Sequence, residues 1–372
     1  MGNPLRVLHV VVNMNRGGAE TLLMNLYRNI DRSKVQFDFL TCKEGVFDSE
    51  ITAMGGEIFR IPYISEVGHL GYKQHLDQFF KSNNQYKIVH SHMDKMSGFV
   101  LLAAKKANIP VRIAHSHNTR SEGGLASKLY KWYAGQYIRY NASHFFACST
   151  KASKWLFGNN STEAYILKNG IETDQFHFSL TAREKIRNEL TIEKDTIVLG
   201  HVGRFSHQKN HLFLLDILAG MVKKIPNVVL VLVGDGPLKQ KVKERIKELK
   251  LDKKVKLLGI RDDIHLLLQS FDVFIFPSFH EGLPVTLIEA QGAGLPCIIS
   301  DSITDEVDMD VGLVSYLPIT DQNLWIQKIT QLAKARQTRK SSSKSLTLKG
   351  YDIKKTAERS QLSYLSLGDK VI

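Results

Sequence analysis

The chain has 372 residues, 43% of them hydrophobic and 23% charged, which supplies apolar surface for about two domains and excludes wholesale disorder. Its three cysteines, Cys42, Cys148 and Cys297, are odd in number and widely spaced, which excludes a disulfide framework and a thiolate zinc site and suits a reducing compartment. The net charge of +13 is uneven, at +16 over residues 1–261, −11 over 262–327 and +8 beyond, a balance suited to phosphorylated small molecules or an anionic membrane.

In chain order, apolar β-rich runs alternate with amphipathic helical patterns. Strands are expected at 6–12, 36–41, 57–62, 87–91, 111–115, 144–148 and 164–168, with helices at 19–30, 71–82, 97–107 and 127–140. The opening apolar run is too short to span a membrane and is followed at once by polar residues, so neither a secretory leader nor a spanning helix is expected. The scheme then restarts, with strands at 196–202, 227–233, 255–258, 273–276 and 297–300 and helices at 211–224, 238–249, 264–271 and 285–293. Continuous apolar strands alternating with helices predict parallel sheets buried on both faces and wound by right-handed crossovers. The organisation expected is a first domain over 1–180, a second over 181–350, and a segment 351–372 that returns as a helix to the first domain. Two such sheets joined near 175–195 would bind ligand in a cleft at their carboxyl ends. The polar run 336–344 reads as an exposed linker.

Four stretches carry chemistry. Asn15-Arg16-Gly17-Gly18-Ala19-Glu20 follows the first strand and opens a helix, where glycine amides and the helix start can approach an anion. Gly203-Arg204-Phe205-Ser206-His207-Gln208-Lys209-Asn210 holds the equivalent place in the second half, and Arg204 and Lys209 can converge there on a diphosphate. Val233-Gly234-Asp235-Gly236-Pro237 is a strand-end turn that brings backbone close. The fourteen residues from Pro277 to Ala290 place Glu281 in a loop and Glu289 in the helix that follows. Glu289 can accept two hydroxyl hydrogen bonds from a ribose, Glu281 can face a sugar, and the Gly282 and Leu283 amides can hold phosphate.

These stretches, with HSHNT at 115–119, KNGI at 168–171 and GLPCIIS at 294–300, resemble the family-4 retaining glycosyltransferases, and within them the enzymes of bacterial exopolysaccharide and capsule clusters. The resemblance implies the GT-B fold, two facing Rossmann-like domains with a central cleft, the first (1–180) binding the acceptor and the second (181–350) the nucleotide sugar. It implies a UDP-sugar donor, a saccharide or polyprenyl-diphosphate-saccharide acceptor, and transfer with retention at the anomeric carbon. Arg204 and Lys209 would meet the donor diphosphate, Glu289 the ribose, Glu281 the donor sugar, the Gly17-Gly18 loop the pyrophosphate, and Ile260 and Arg261 the nucleobase. One histidine after the fifth strand would lie beside the sugars. His117 suits that place if the strand runs to Ser116, and His115 if it stops earlier.

Rival readings exist for the same residues. One is a nucleotide-sugar epimerase on this scaffold, and another is a sugar-nucleotide-binding protein without catalysis. A third is a metal-dependent hydrolase built on His90-Ser-His92 and His115-Ser-His117, but no clustered carboxylates complete a ligand set there. Asp308-Met309-Asp310 matches a metal-diphosphate signature of another fold and reads better as a solvated loop. No metal or other cofactor is expected, and in the absence of a nucleic-acid-binding motif no nucleic acid either. Leu129, Trp132, Tyr133, Tyr137 and Tyr140 share a broad helical face flanked by Lys128, Lys131 and Arg139. That face either packs on the first sheet or rests on an anionic lipid surface, which would make a cytoplasmic protein peripheral to the inner face of the membrane.

Overall fold

The computed structural model describes residues 3–335, 339 and 342–370. The chain divides into two compact units, one formed by 1–171 with 350–372 and the other by 172–349.

The first unit holds seven parallel strands, β1 (Leu5–Val10), β2 (Val35–Thr41), β3 (Ile58–Arg60), β4 (Ile88–Ser91), β5 (Val111–Ser116), β6 (His144–Ala147) and β7 (Tyr165–Ile166). Their order, β3-β2-β1-β4-β5-β6-β7, reverses direction between β1 and β4. At such a switch point neighbouring loops part and leave room for a ligand at the carboxyl edge. Val7, Phe37, Phe39, Ile88 and Ile113 are buried in one core with Leu22, Leu23 and Leu26 of the helix Gly18–Asn29. The helix Ile353–Asp369 joins that core through Ile353, Ala357 and Tyr364, each at most 1% exposed. Burial of a large apolar side chain contributes about 1.5–3 kcal/mol. Asp352 caps this helix by accepting from the amides of Lys354 and Lys355.

The second unit holds β8 (Ile197–Val202), β9 (Val228–Val233), β10 (Val255–Gly259), β11 (Val273–Phe276), β12 (Cys297–Ser300) and β13 (Val314–Leu317), all parallel, in the order β10-β9-β8-β11-β12-β13. Its switch point lies between β8 and β11. The core is built on Leu199, Leu230, Leu232 and Ile275, closed by Leu214, Leu215 and Leu218 of His211–Val222 and by Trp325 and Ile329 of Gln322–Ala335.

The doubly wound parallel sheets expected from the alternating pattern are therefore present in both units. Strand β13, the four residues Val-Ser-Tyr-Leu in the acidic stretch, is not among the expected strands, because so short a run with one polar residue carries no clear apolar signal. The helices Thr150–Phe157, Leu180–Glu189 and Gln322–Ala335 were likewise not singled out. Of the expected linker 336–344, residues 336–338, 340 and 341 lie outside the described residues, while Ser343–Leu348 is a helix.

Candidate active site

In the second unit three of the four chemical stretches meet at the carboxyl edge. The loop after β8 lies against the turn after β9: the Gly203 amide donates to Val233 O at 2.9 Å and the Phe205 amide to Asp235 O at 3.0 Å. Gly234, at φ +133°, needs to be glycine, since a Cβ there would sit 2.2 Å from Gly203 O. The same loop is laced to the segment after β11. Gln208 donates to His280 O at 2.8 Å, Asn210 to Pro277 O at 3.3 Å, and the Phe279 amide to Gln208 O at 2.9 Å, while His207 stacks on Phe279 with ring centres 4.9 Å apart.

Lys209 and Glu281, 72 residues apart in sequence, form an ion pair at 2.8 Å with side chains only 15% and 9% exposed. The ammonium also lies 4.6 Å from the centre of the Phe276 ring. Arg204, on the same loop, is exposed, and among the described residues its guanidinium makes no hydrogen bond or ion pair. Glu289 is half-buried in the helix Val285–Gly292, and burial pushes its carboxyl up to about 7. Gly282 and Leu283 are buried immediately before Pro284, the residue that caps this helix. Ile260 and Arg261 follow β10, two strands away from β8. Ile260 is 59% exposed. Arg261 is tied to Asp263 at 2.7 Å and Glu189 at 3.0 Å, which raises its pKa further.

In the first unit Gly17 caps the helix Gly18–Asn29, and Gly18 has open space where a side chain would project. Strand β5 runs to Ser116, so His117 is the first residue beyond it. His115 is fully buried within the strand, and His117 is half-buried. The His117 amide donates to Asp94 Oδ1 at 2.9 Å, which anchors the loop.

Sequence reasoning missed several residues here. Gly45 packs on the backbone of Met14, where a Cβ would meet it at 2.5 Å, and the neighbouring Val46 amide donates to Asn15 Oδ1 at 3.0 Å. The glycine loop after β1 is thus braced by the loop after β2, a contact with no local sequence signal. His9 of β1 and Tyr364 of the last helix join the two His-Ser-His pairs in hydrogen-bonded chains: His117 Nε2 to His92 Nδ1 at 2.8 Å, His92 Nε2 to His9 Nδ1 at 3.0 Å, His115 Nδ1 to His90 Nε2 at 3.0 Å, and His90 Nδ1 to Tyr364 Oη at 2.8 Å. Nitrogens of His9, His90 and His92, and of His92, His115 and His117, lie within 4.8 Å of one another, a spacing that contraction could turn into a metal site. Both His92 nitrogens are already engaged in hydrogen bonds, however. Asp308 and Asp310 do not form a matched pair: Met309 between them is buried, and exposed Asp310 pairs with Lys349 at 2.5 Å.

The stripe on 127–140 proves to be divided. The helix Leu125–Gln136 packs through Ala134 against Gly98, where a Cβ would meet Ala134 O at 2.0 Å, and through Tyr130, whose ring contacts Phe99 and whose hydroxyl meets His69 Nδ1 at 2.5 Å. Leu125, Leu129, Trp132, Tyr133 and Tyr140 are 41–75% exposed. Packing of the whole aromatic face on the first sheet is therefore ruled out. No helix among the described residues is long and apolar enough to cross a membrane.

Comparison with known proteins agrees with the geometry. The family described as "Glycosyltransferase Family 4" matches residues 16–175, and "Glycosyl transferases group 1" matches 182–344. The Bacillus subtilis protein named "Putative glycosyltransferase EpsF" is 41% identical over 356 residues, covering 93% of each chain. The Escherichia coli UDP-Gal:alpha-D-GlcNAc-diphosphoundecaprenol alpha-1,3-galactosyltransferase is 30% identical over 235 residues, 58% of each chain. In fold, the chain is similar to Anabaena Alr3699/HepE, solved with UDP and glucose, at a TM-score of 0.75 and 20% identity over 99% of this chain and 98% of that one. The chain belongs to the family-4 glycosyltransferases of GT-B fold, and its relatives include the Staphylococcus aureus protein named "Capsular polysaccharide biosynthesis glycosyltransferase CapH".

Proposed function

We propose that the protein transfers a sugar from a UDP-sugar to a lipid-linked saccharide, with retention at the anomeric carbon. The observation that carries the donor half is the Lys209–Glu281 pair across two loops at the switch point of the second sheet, with Arg204 exposed on the first of these loops and Glu289 in the helix that follows the second. The developing charge in such a reaction is on the departing diphosphate. Arg204 and Lys209, with the amides of Gly282 and Leu283, are suited to neutralise it without a metal. Glu289 would hold the ribose, Glu281 would orient the sugar, and Ile260 with Arg261 would border the nucleobase. In the first unit, Gly17 and Gly18 would supply amides to the pyrophosphate, and His117 would contact the sugar, with His115 behind it. Same-face attack, with a diphosphate oxygen helping to take the acceptor proton, needs no protein nucleophile.

The donor assignment draws support from the relative that acts on UDP-Gal and the structural neighbour solved with UDP. The acceptor assignment draws support from the diphosphoundecaprenol-linked acceptor of that same relative and from the exposed helix face. Leu125, Leu129, Trp132 and Tyr133 recur at helical spacing, with Lys128 and Lys131 on the same helix and Arg139 just beyond it. This is the composition of a helix that rests at an anionic bilayer surface.

The test is UDP release from a panel of nucleotide sugars with and without saccharide acceptors. Release that depends on an acceptor and survives chelation supports the reading, whereas acceptor-independent interconversion of the nucleotide sugar favours an epimerase. Co-sedimentation with anionic vesicles at low salt, lost on joint substitution of Lys128, Lys131 and Arg139 by Glu, tests the membrane half. A wild type indifferent to such vesicles would refute that half.

A further inference from the structure

Five histidines and one tyrosine in the first unit form two hydrogen-bonded relays, one ending at His115 in β5 and the other at His117 just beyond it, and the direction of each can be worked out. Burial keeps these imidazoles uncharged, with His9 and His117 pushed down to about 3 and His90, His92 and His115 also driven down. A neutral imidazole has one N–H and one lone pair, so each hydrogen bond fixes the next.

In the first relay the Tyr364 hydroxyl has His90 Nδ1 as its one acceptor among the described residues, at 2.8 Å. Tyr364 therefore donates to Nδ1, His90 carries its hydrogen on Nε2 and donates to His115 Nδ1, and His115 carries its hydrogen on Nε2, a buried nitrogen left without a partner in exchange for satisfying the Tyr364 hydroxyl. The second relay runs through His9, His92 and His117, and its terminal nitrogens, His9 Nε2 and His117 Nδ1, are buried without a hydrogen-bond partner. One of these ends must carry a hydrogen. At the His9 end the ring lies among Phe37 and Phe39, with centroids 4.2 and 5.7 Å away, and an N–H there would go unsatisfied permanently. His117 is half-buried and lies just beyond the strand, so its unpartnered Nδ1 is the end that a ligand oxygen in the proposed site would satisfy. An orphaned buried donor costs more than an orphaned lone pair, so the hydrogen belongs on His117.

We infer that His92, backed by His9, is a positioning residue that holds His117 as the Nδ1–H tautomer, so that His117 presents a fixed hydrogen-bond donor, and not a base, to the sugar. The functional half rests on the proposal above that His117 contacts the sugar, whereas the tautomer assignment does not. Metal ligation by His92, His115 and His117 requires lone pairs that the relays already use, and would break the hydrogen bonds that these relays make.

The full-length protein labelled with nitrogen-15 histidine reports each tautomer by long-range proton–nitrogen correlation, with assignments from single-histidine variants. The expected result is Nδ1–H for His9, His92 and His117 and Nε2–H for His90 and His115. An Nε2–H signal for His117 overturns the inference whether or not the protein transfers sugar. His9→Phe keeps a ring in the core but removes the donor, and should move His117 towards Nε2–H; an unchanged His117 signal would also overturn it. In turnover, His92→Leu should lower kcat about 100-fold while leaving the donor KM within about twofold, as expected when a reacting group loses its orientation. His92→Asn, which can donate from the same position, should recover most of that loss. Equal loss in both variants, or a change confined to KM, would contradict a positioning role. Absence of any sugar transfer by the wild type would refute the proposed function and leave the tautomers to be judged by the spectrum alone.

Discussion

Replacing Lys209 by alanine should damage both stability and turnover, while replacing Arg204 should damage turnover alone. At 2.8 Å the Lys209–Glu281 charges attract by ~6 kcal/mol at an effective dielectric of about 20, much of it offset by the desolvation of two largely buried groups. Removing only the ammonium takes one partner from the Glu281 carboxylate at 9% exposure, and breaking a buried pair in this way costs about 3 kcal/mol. Arg204 is exposed and unpaired among the described residues, so its removal should change stability by no more than about 0.5 kcal/mol. Each variant should lose roughly 100- to 1000-fold in kcat, the scale of one lost contact to developing negative charge. Denaturant unfolding of Lys209→Ala, Glu281→Gln and the double variant measures the coupling, and the double variant should regain much of the stability lost by Lys209→Ala. Coupling below about 0.5 kcal/mol, or wild-type kcat in Arg204→Ala, would refute the reasoning.

Burial pushes the Glu289 carboxyl from its ordinary 4.5 up to about 7 in the folded protein, so folding disfavours its charged form and stability should fall as pH rises from about 4.5 to about 7, then level off. Glu289→Gln should flatten that slope in denaturant titrations across this range. If the carboxylate holds the ribose, UDP should bind more tightly as pH rises through about 7, and calorimetry should find this rise missing in Glu289→Gln. Gly234→Ala should destabilise the protein by at least about 2 kcal/mol, because its Cβ would overlap Gly203 O, whereas Gly18→Ala, with nothing within 4 Å, should not; equal unfolding midpoints for the two would contradict the packing. Joint substitution of Leu125, Leu129 and Trp132 by Ser should abolish vesicle binding while leaving the unfolding midpoint within about 1 °C, since these side chains are 57–75% exposed.

The doubly wound sheets were legible because strands such as β9, VVLVLV, are buried on both faces and read as continuous apolar runs. β13, a run of four residues with one polar, carried no such signal. The chemical stretches were legible as glycine turns and charges at strand ends, but their mutual contacts were not. Nothing local to Lys209 announces Glu281, and nothing near Met14 announces Gly45. The histidine register depended on one residue of strand length: β5 runs to Ser116, which a Val-Arg-Ile-Ala-His-Ser pattern leaves open. Periodicity found the aromatic stripe on 127–140 but could not tell its packed part from its exposed part. That division comes from Gly98, whose missing side chain lets the helix seat on Ala134.

The anomeric configuration of the purified product tests the central claim most directly. With an α-linked UDP-sugar donor that supports acceptor-dependent UDP release, proton NMR should show a new α-glycosidic linkage. A β-linkage would contradict retention, and free sugar or an epimerised nucleotide sugar without transfer would contradict the proposed reaction itself.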